Sequence, residues 1–599
     1  MITAIHRVLA LSLACLLAAT ASAAAGPAAA VPERGTPTST APADRVFADA
    51  GRERSGEAWV EVAGVDSDRN GVDDRVHVRW VRPAGDRERP VIVEPSPYFA
   101  GGNPVRNHDV DVELYVPRDR GDRGRDDRTA AASGYAYLYK RHGYAYVEAE
   151  SLGSGGSTGC PTVGDADETA GAVAVVDWLT GRAQAFAARS GGDQVQAHWS
   201  DGHVGMIGVS YNGTLANAAA SAGVEGLDAI VPISAISYWY GYYRDDGAVI
   251  APGGYQGEDA DVLAKYVLTR RSPEVCRPVV RDLRQQQDRV TGDLSGFWTA
   301  RDYRPGAATT DTAVLVQHGL RDWNVKTSQF AGWYRALTEA GVPHRLWLHP
   351  GSHGDFPSYS GDRLWRRLLV RWFDRWLRGE RNGVMSGPPV VWEPTSDRHV
   401  RLDEWPNPTS DRVSLHPRPG GRSRGALRLA DGETAGTERL VDDAAFTARE
   451  LAARDVSRHR LLYATRRLDA GVTISGAPAM DLRVAFDAEA ANVSAALVDI
   501  APSGGVRRIS EGWTDPQNRI SAAVTTPIEP GTSYDLEVGL EPQQFRFAPG
   551  HRIGVVLLSS DHDYTLRPSP GTVLSVDLAS TRLKLPVTGG RDTLAAALR

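Results

Sequence analysis

Between residues 90 and 350, short apolar runs alternate along the chain with stretches that have helical periodicity. The apolar runs are PVIVEP, HVGMIGVS, DAIVPIS, TAVLVQHGL and RLWLHP, and they are typical of strands buried on both faces. The segments DETAGAVAVVDWLTGRA, TLANAAASAG and QFAGWYRALTEAG carry apolar residues at helical spacing. Buried strands that alternate with helices predict a mostly parallel sheet with helices on both faces.

This alternation is interrupted twice. From about residue 239 to 305 the chain is aromatic, then charged and helical, which predicts a helical cap inserted between two core strands. After about residue 385, short alternating segments such as ISGAPAMDLRVAF and HRIGVVLLSS are separated by proline and glycine turns, as in a β-sandwich. We therefore predict an α/β domain over residues 46–385 and a β-sandwich over residues 386–599.

The N-terminus has the features of an export signal. His6 and Arg7 precede the apolar run VLALSLACLLAA, and small residues follow at Ala21 and Ala23. The pattern predicts a secretory signal peptide over residues 1–23, because the apolar run is too short to span a membrane. Residues 24–45 are rich in Ala, Pro and Thr and predict a disordered linker. We expect a secreted, extracellular protein.

The composition and net charge limit the classes of binding partner that we expect. The chain has 599 residues, 42% hydrophobic and 24% charged, with a formal net charge of −7. These values are ordinary for a globular protein and predict neither nucleic acid nor a membrane as a partner. The oligomeric state stays open.

Beyond the signal peptide, the chain contains two cysteines, Cys160 and Cys276. In an oxidising compartment they form either a disulfide or two separate thiols, and without a CxxC pattern they predict no zinc site.

One polar segment resembles the first part of a calcium-binding loop. Residues 66–74 read DSDRNGVDD, with Asp, Asp and Asn at alternate positions before a glycine. An EF-hand needs a bidentate glutamate at its twelfth position, where this chain has His77. A polar hairpin turn between two strands is therefore the favoured interpretation, and no metal site is predicted.

The segment GVSYNG contains a candidate nucleophile. Its serine, Ser210, ends a predicted strand and precedes a helix of small residues. A serine on a sharp strand-to-helix turn projects its hydroxyl out of the sheet, and the next backbone N–H faces an oxyanion position. The usual spacing is G-x-S-x-G, whereas the second glycine here is Gly213. The strand before and the helix after Ser210 favour a nucleophile over an ordinary turn serine.

A serine nucleophile needs a base and an acid, which follow it along the chain in α/β-hydrolase folds. Asp322 comes just after the strand TAVLVQHGL, and His353 lies in the loop after RLWLHP. His318 and His349 compete as the base, but both fall at strand ends. Asp355 competes as the acid but lies close to His353 in sequence. We predict the catalytic triad Ser210–Asp322–His353, which needs no cofactor.

The segments GVSYNG, HGLRDWNVK and HPGSHG resemble peptidase family S15, the X-prolyl dipeptidyl aminopeptidases, and the related cocaine-esterase-like acyl hydrolases. SPYFAGGN, GSTGCPTVGDADE and GGYQGEDADVLA are more similar to the peptidase branch. The resemblance covers nearly the whole mature chain. It implies an α/β-hydrolase core with an inserted helical cap and a C-terminal jelly-roll β-sandwich, and it accounts for the displaced glycine.

The resemblance also implies further site residues. Tyr98 would donate its hydroxyl to the oxyanion beside the backbone N–H of Tyr211, although a core aromatic at a strand end is the alternative. Aromatic residues at the start of the cap would form a proline pocket or simply pack the cap on the core; they are Trp239, Tyr240, Tyr242 and Tyr243. Glu258 would bind the substrate ammonium. Its rivals are Asp245, Asp246 and Asp259, and a solvated acidic helix start is the alternative.

Together these features predict a secreted serine exopeptidase that releases Xaa-Pro dipeptides from proline-containing peptides. An esterase or a β-lactam or amide acylase would use the same triad with an idle ammonium site. A carbohydrate- or surface-binding protein, with its function in the β-sandwich, is a third possibility that an intact triad argues against.

Overall fold

The computed structural model describes residues 53–110, 134–354, 357, 362–396, 398–429, 436–566 and 571–599. The predicted signal peptide at 1–23 and linker at 24–45 lie outside these ranges. No helix within the described ranges combines the length and the apolar character that crossing a bilayer requires.

Eleven strands of the described chain form the first sheet. They are β1 (Glu53–Glu61), β2 (Arg75–Pro83), β3 (Arg89–Ser96), β4 (Ala145–Glu150), β5 (Ala185–Phe186), β6 (Ser200–Val209), β7 (Leu227–Ile233), β10 (Ala313–Gly319), β11 (His344–His349), β12 (Val390–Thr395) and β13 (Arg398–Leu402), numbered with the cap strands β8 (Arg244–Asp245) and β9 (Ala248–Val249). Their order is β13-β12-β11-β10-β7-β6-β3-β4-β2-β1-β5. The strands from β12 to β4 in this order run parallel, and the two edges are antiparallel.

Helices cover both faces of this sheet. One apolar layer packs α2 (Ala166–Leu179), α3 (Tyr211–Ser221) and α8 (Thr327–Ala340) against the strands. The other face is covered by α1 (Gly134–Arg141) and α9 (Asp362–Leu377). The small residues of α3 let it lie directly on the sheet, with its alanines buried. The predicted parallel sheet with two helical layers is confirmed.

Between β7 and β10 the chain leaves the sheet and forms short helices. They are α4 (Tyr240–Tyr243), α5 (Ala260–Val267), α6 (Arg277–Gln286) and α7 (Gly296–Thr299), with β8 and β9 forming a two-stranded ribbon. A disulfide joins Cys160 to Cys276, the residue that precedes α6, which resolves the alternatives that the sequence left open. The cystine ties this insertion to the loop after β4.

The second sheet region begins with β14 and contains twelve strands of the described chain. They are β14 (Ser410–Pro417), β15 (Gly425–Arg428), β16 (Thr437–Val441), β17 (Leu461–Ala464), β18 (Val472–Gly476), β19 (Ala479–Phe486), β20 (Val493–Ile500), β21 (Val506–Thr514), β22 (Ser533–Gly539), β23 (Gln543–Phe547), β24 (Arg552–Leu558) and β25 (Val573–Thr588). Two groups of strands share one apolar core, as the predicted β-sandwich requires. The helices α10 (Ala448–Ala453) and α11 (Gly590–Ala597) complete this part.

The first sheet extends further along the chain than the sequence predicted. The segment VVWEPT lies inside the predicted β-sandwich range of 386–599, but as β12 it pairs in parallel with β11. The strand β13 then pairs with β12, so the first sheet ends at Leu402. Periodicity does not distinguish the two arrangements, because an edge hairpin and a sandwich strand have the same apolar pattern.

Candidate active site

Ser210 occupies a sharp turn between β6 and α3. Its backbone has φ of 60° and ψ of −126°, a strained conformation for a residue with a side chain. The Ser210 amide donates to the carbonyl of Ile233 at the end of β7, at 2.8 Å, which fixes the turn against the neighbouring strand. The serine side chain is therefore held at the carboxyl edge of the parallel sheet.

The two glycines around Ser210 allow the backbone to close on itself. A Cβ on Gly208 would lie 2.4 Å from the carbonyl carbon of Asn212, and one on Gly213 would lie 2.6 Å from the carbonyl oxygen of Gly208. The turn therefore brings the start of α3 against the end of β6. This close approach explains why the second glycine stands at 213, one place later than in the usual pattern.

His353 lies between the serine and an acid. Its Nε2 is 3.0 Å from the Ser210 Oγ, and its Nδ1 is 2.8 Å from Oδ2 of Asp322. The Asp322 side chain is fully buried, whereas 29% of the His353 side chain is exposed. The structure thus brings together the three residues that the sequence predicted as a triad. In this geometry His353 can accept the serine proton while Asp322 orients the ring.

The Asp322 carboxylate is held by its own loop, which follows β10. Its Oδ1 accepts hydrogen bonds from the backbone N–H groups of Asn324 and Val325, at 3.0 and 2.9 Å. These bonds leave Oδ2 for the histidine. The neighbouring histidine in the core, His318, is fully buried and contacts the carbonyl of Val325 through Nε2 at 2.9 Å. Burial lowers the pKa of His318.

The competing candidates do not reach the serine. His318 lies beneath the Asp322 loop, and His349 is buried at the end of β11, where its Nδ1 accepts the N–H of Gly351. Asp355 lies outside the described residues.

The β-sandwich supports the loop that carries Asp322. Gln543 Nε2 donates to the carbonyl of Leu320 at 3.2 Å. The Arg508 guanidinium lies 3.8 Å from the centre of the Trp323 ring, a cation–π contact. Glu541 accepts hydrogen bonds from Ser328 and Thr327 at the start of α8. The sandwich therefore fixes both ends of the segment between β10 and α8.

Tyr211 follows the serine directly, and its ring contacts that of Tyr98. Their ring centres are 6.0 Å apart with an interplanar angle of 74°, an edge-to-face contact. Tyr98 is half-buried after the end of β3, where its amide donates to the Ser96 hydroxyl at 3.0 Å. Tyr98 thus follows β3 at the carboxyl edge of the sheet, and Tyr211 supplies the first backbone N–H after the serine. The oxyanion roles of both residues stay predictions.

Glu168 is a residue that sequence reasoning did not assign to the site. Both of its carboxylate oxygens lie 2.8 Å from the Tyr211 hydroxyl, and its Oε2 also accepts the Gly164 N–H at 2.6 Å. Burial raises the pKa of Glu168 to about 7, against the lowering effect of these hydrogen bonds. The sequence signal was the acidic start of α2, which is an ordinary feature of helix N-termini and concealed this contact.

The aromatic residues of the cap form a packed group. Trp239 is fully buried, and its Nε1 donates to the Tyr303 hydroxyl at 2.9 Å. Its ring packs 5.0 Å from that of Tyr211 and 6.2 Å from that of Tyr243. Of the two alternatives for Trp239, a proline pocket or packing of the cap on the core, its complete burial favours packing. Tyr242 retains slight exposure.

Tyr242 is joined directly to the Asp322 loop. Its hydroxyl donates to Oδ1 of Asn324 at 3.0 Å. Its ring lies 4.7 Å from that of Tyr243, whose hydroxyl donates to Oε1 of Glu258 at 3.2 Å. A line of tyrosines thus leads from the triad loop to Glu258.

The acidic residues around Glu258 have other partners. Asp259 is fully buried and forms ion pairs with Arg244 and Arg289, both at 2.9 Å. Asp245 accepts the N–H of Trp513 from the β-sandwich, and burial raises its pKa. Burial also raises the pKa of Asp246. These three rivals of Glu258 are thus either neutralised by arginines or disfavoured as free carboxylates.

The sequence of this chain matches a family of serine peptidases. The family model for the X-Pro dipeptidyl-peptidases of family S15 matches residues 70–355, and the model for their C-terminal non-catalytic domain matches residues 382–594. A protein of Bacillus anthracis, provisionally named an Xaa-Pro dipeptidyl-peptidase, is 43% identical over 527 residues. The alignment covers 87% of this chain and 86% of that protein.

Solved structures share the fold. An aminopeptidase from a marine sediment archaeon (Thaumarchaeota archaeon) superimposes with a TM-score of 0.66 and 17% identity, over 93% of this chain and 98% of its own. An α-amino acid ester hydrolase superimposes with a TM-score of 0.65 and 20% identity, over 92% and 100%. The predicted α/β-hydrolase core with a C-terminal β-sandwich is confirmed. With both family models matched in sequence order, the chain belongs to the S15 family of X-Pro dipeptidyl-peptidases.

Proposed function

We propose that the protein is a serine exopeptidase that releases Xaa-Pro dipeptides from the N-terminus of peptides through an acyl-enzyme on Ser210. The observation that carries this proposal is the contact of His353 Nε2 with the Ser210 Oγ at 3.0 Å, with Asp322 behind the histidine. Membership of family S15 supports the substrate class.

In the first half-reaction Ser210 Oγ attacks the carbonyl carbon of the second substrate residue, proline, while His353 takes the hydroxyl proton. The Tyr211 N–H and the Tyr98 hydroxyl stabilise the oxyanion, and each donor contributes about 3 kcal/mol to the transition state. When the tetrahedral intermediate collapses, the C–N bond breaks and His353 returns the proton to the leaving amine. Asp322 orients the neutral ring and stabilises the imidazolium that forms when His353 takes the proton.

In the second half-reaction a water molecule attacks the Xaa-Pro ester of Ser210. His353 takes a proton from that water and returns one to Oγ, which releases the dipeptide with a free carboxylate. The triad itself supplies every proton transfer in this cycle, so the proposal requires no cofactor.

To release dipeptides, the enzyme has to bind the substrate ammonium at a distance of two residues from the nucleophile. We assign the ammonium to Glu258, because it is buried and is linked through Tyr243 to the aromatic group of the cap. A buried carboxylate strongly favours a cationic partner over a neutral one. Tyr242, next to the triad loop, is the candidate for the proline ring, with Trp239 supporting it from behind.

Export to the cell exterior is also part of the proposal, on the basis of the apolar run after His6 and Arg7. Expression of the full chain should yield a secreted product whose N-terminus follows Ala23. Intact chain retained in the cytoplasm would contradict export without affecting the catalytic proposal.

The catalytic proposal is tested with unlabelled peptides that begin with Gly-Pro, Ala-Pro or Gly-Ala. Mass spectrometry should detect intact Gly-Pro and Ala-Pro with the shortened peptide, and none of these products with Ser210→Ala. Release of single amino acids, or internal cleavage, would contradict it. An esterase or amide acylase would leave all three peptides intact while hydrolysing p-nitrophenyl esters.

A further inference from the structure

The loop between β1 and β2 contains carboxylates that catalysis does not use. The strands form an antiparallel hairpin, as the sequence favoured, with residues 62–74 between them. One side-chain oxygen from each of Asp66, Asp68 and Asp74 lies within 4.8 Å of the others. Among the described residues this is the cluster whose spacing suits a metal ion.

Asp68 has an oxygen that its surroundings do not satisfy. The side chain is only 2% exposed, and its Oδ2 pairs with Arg270 Nη1 at 2.6 Å. The other oxygen, Oδ1, is buried and has no hydrogen-bond partner in the described structure. A buried carboxylate oxygen without a donor costs about 1–3 kcal/mol or more, so native proteins rarely leave one without a proton or a cation.

Asp74 adds to the concentration of charge. Its Oδ2 accepts the Ser67 N–H at 2.7 Å and the Ser67 hydroxyl at 2.6 Å. Its Oδ1 accepts the Thr158 hydroxyl at 3.3 Å. A cation beside the three carboxylates would offset the repulsion between their negative charges.

The spacing of the acids matches a known calcium-binding arrangement. Asp66, Asp68, Asn70 and Asp74 occupy positions 1, 3, 5 and 9 of an EF-hand loop, and Gly71 occupies position 6 with φ of 85°. His77, at position 12, faces Glu150 at 2.8 Å and Glu57 at 3.1 Å instead of the cluster. The loop thus has the first part of such a site and lacks its bidentate glutamate.

From the buried, unsatisfied oxygen of Asp68 and the two carboxylates beside it, we infer that this loop binds one Ca²⁺ ion. Oxygen ligands at this spacing suit Ca²⁺, which accepts irregular coordination, better than Mg²⁺, which requires near-ideal octahedral geometry. Without the twelfth-position glutamate, we expect a dissociation constant of about 10⁻⁴–10⁻³ M, as in extracellular calcium modules.

The proposed ion lies against the segment that carries the cystine. The Cys160 N–H donates to the Ser67 hydroxyl at 2.8 Å, and Arg270, the partner of Asp68, also donates to the carbonyl of Gly159. A Cβ on Gly159 would lie 2.6 Å from Oδ2 of Asp74, so this segment packs tightly on the loop. Ca²⁺ would therefore stabilise the junction of the hairpin, the disulfide and the insertion after β7.

The test is calorimetric titration of the purified, chelator-treated protein with CaCl₂, with MgCl₂ as the comparison. We expect one Ca²⁺ per chain, weaker Mg²⁺ binding, and a rise in the unfolding midpoint of about 1–3 °C at about 10 mM CaCl₂. Asp66→Asn and Asp68→Asn should each weaken Ca²⁺ binding by about tenfold or more.

Asp73→Asn is the matched control, because Asp73 lies in the same loop but accepts the Gly64 N–H at 3.0 Å outside the cluster. It should bind Ca²⁺ within about twofold of the unmodified protein. If Asp68→Asn fails to fold through loss of the Arg270 ion pair, Asp66→Asn alone decides, since Asp66 is more exposed. Absence of Ca²⁺ binding by the unmodified protein, unchanged binding by Asp66→Asn, or an equal loss in Asp73→Asn would overturn the inference.

Discussion

The hydroxyl of Tyr211 donates to the buried carboxylate of Glu168 at 2.8 Å, directly behind the nucleophile turn. The backbone N–H of Tyr211 is the proposed oxyanion donor, so Glu168 anchors the residue whose amide has to be positioned. The anchor lies in α2 and is tied through Gly164 to the loop that contains Cys160. The proposed oxyanion site therefore depends on a residue outside the predicted triad.

Ionisation of Glu168 should make stability depend on pH. Its pKa is raised from 4.5 to about 7, so the native state retains a proton that the unfolded chain releases between these values. The contribution of Glu168 to the free energy of unfolding is thus fully present below pH 4.5 and is lost as pH rises to about 7, a decrease of about 3 kcal/mol. Glu168→Gln should remove this decrease, as measured by urea unfolding at about pH 5 and about pH 8.

Glu225→Gln is the control for Glu168, because it removes the charge of an exposed glutamate. It should keep the pH dependence of the unmodified protein. If the free energy of unfolding of Glu168→Gln decreased with pH as much as that of the unmodified protein, Glu168 would not be the cause of the decrease.

The triad predicts a graded loss of activity. Ser210→Ala should abolish acyl-enzyme formation and labelling by a fluorophosphonate probe. Asp322→Asn should lower kcat by about 10⁴-fold, because the amide cannot hold the histidine in the required tautomer. His318→Gln, which changes the neighbouring buried histidine, should retain labelling at Ser210. Labelling in Ser210→Ala at the rate of the unmodified protein would contradict the role of this serine.

The disulfide should contribute strongly to stability. Cys160 and Cys276 are separated by 116 residues, and closing a loop of that size in the unfolded chain removes about 4–5 kcal/mol of conformational freedom. The double variant Cys160→Ala with Cys276→Ala should lose about this much free energy of unfolding in urea, and reduction of the unmodified protein should give the same loss. A loss below about 1 kcal/mol would exclude the cystine as a major support.

The β-sandwich should affect catalysis through Glu541. This buried carboxylate accepts the Ser328 and Thr327 hydroxyls at the start of α8, directly after the Asp322 loop. Glu541→Ala leaves these donors unpaired and should reduce both the free energy of unfolding, by about 2–4 kcal/mol, and kcat. Glu489→Ala, at an exposed position in the same part of the chain, is the control and should change neither. An unchanged kcat in Glu541→Ala would show that this contact of the β-sandwich does not affect catalysis.

The fold and the triad were predictable because both depend on local patterns. Parallel strands present their carboxyl ends at one edge, so Ser210, Asp322 and His353, each placed after a predicted strand, could be expected to lie together. Glu168 could not be identified, since its contact depends on the direction of the Tyr211 side chain. The burial of Trp239 and the pairing of β12 with β11 likewise depend on how distant segments pack, which periodicity does not encode.

The most direct test of the account compares Gly-Pro-p-nitroanilide with its N-acetylated form, using the unmodified protein, Ser210→Ala and Glu258→Gln. We predict that kcat/KM for the free amine exceeds that for the acetylated form by about 100-fold or more, because a site built for a charge rejects its neutral analogue. Glu258→Gln should lower only the free-amine rate. Equal cleavage of both substrates, or cleavage of p-nitrophenyl esters alone, would contradict the dipeptidyl-peptidase assignment and favour an esterase or acylase on this fold.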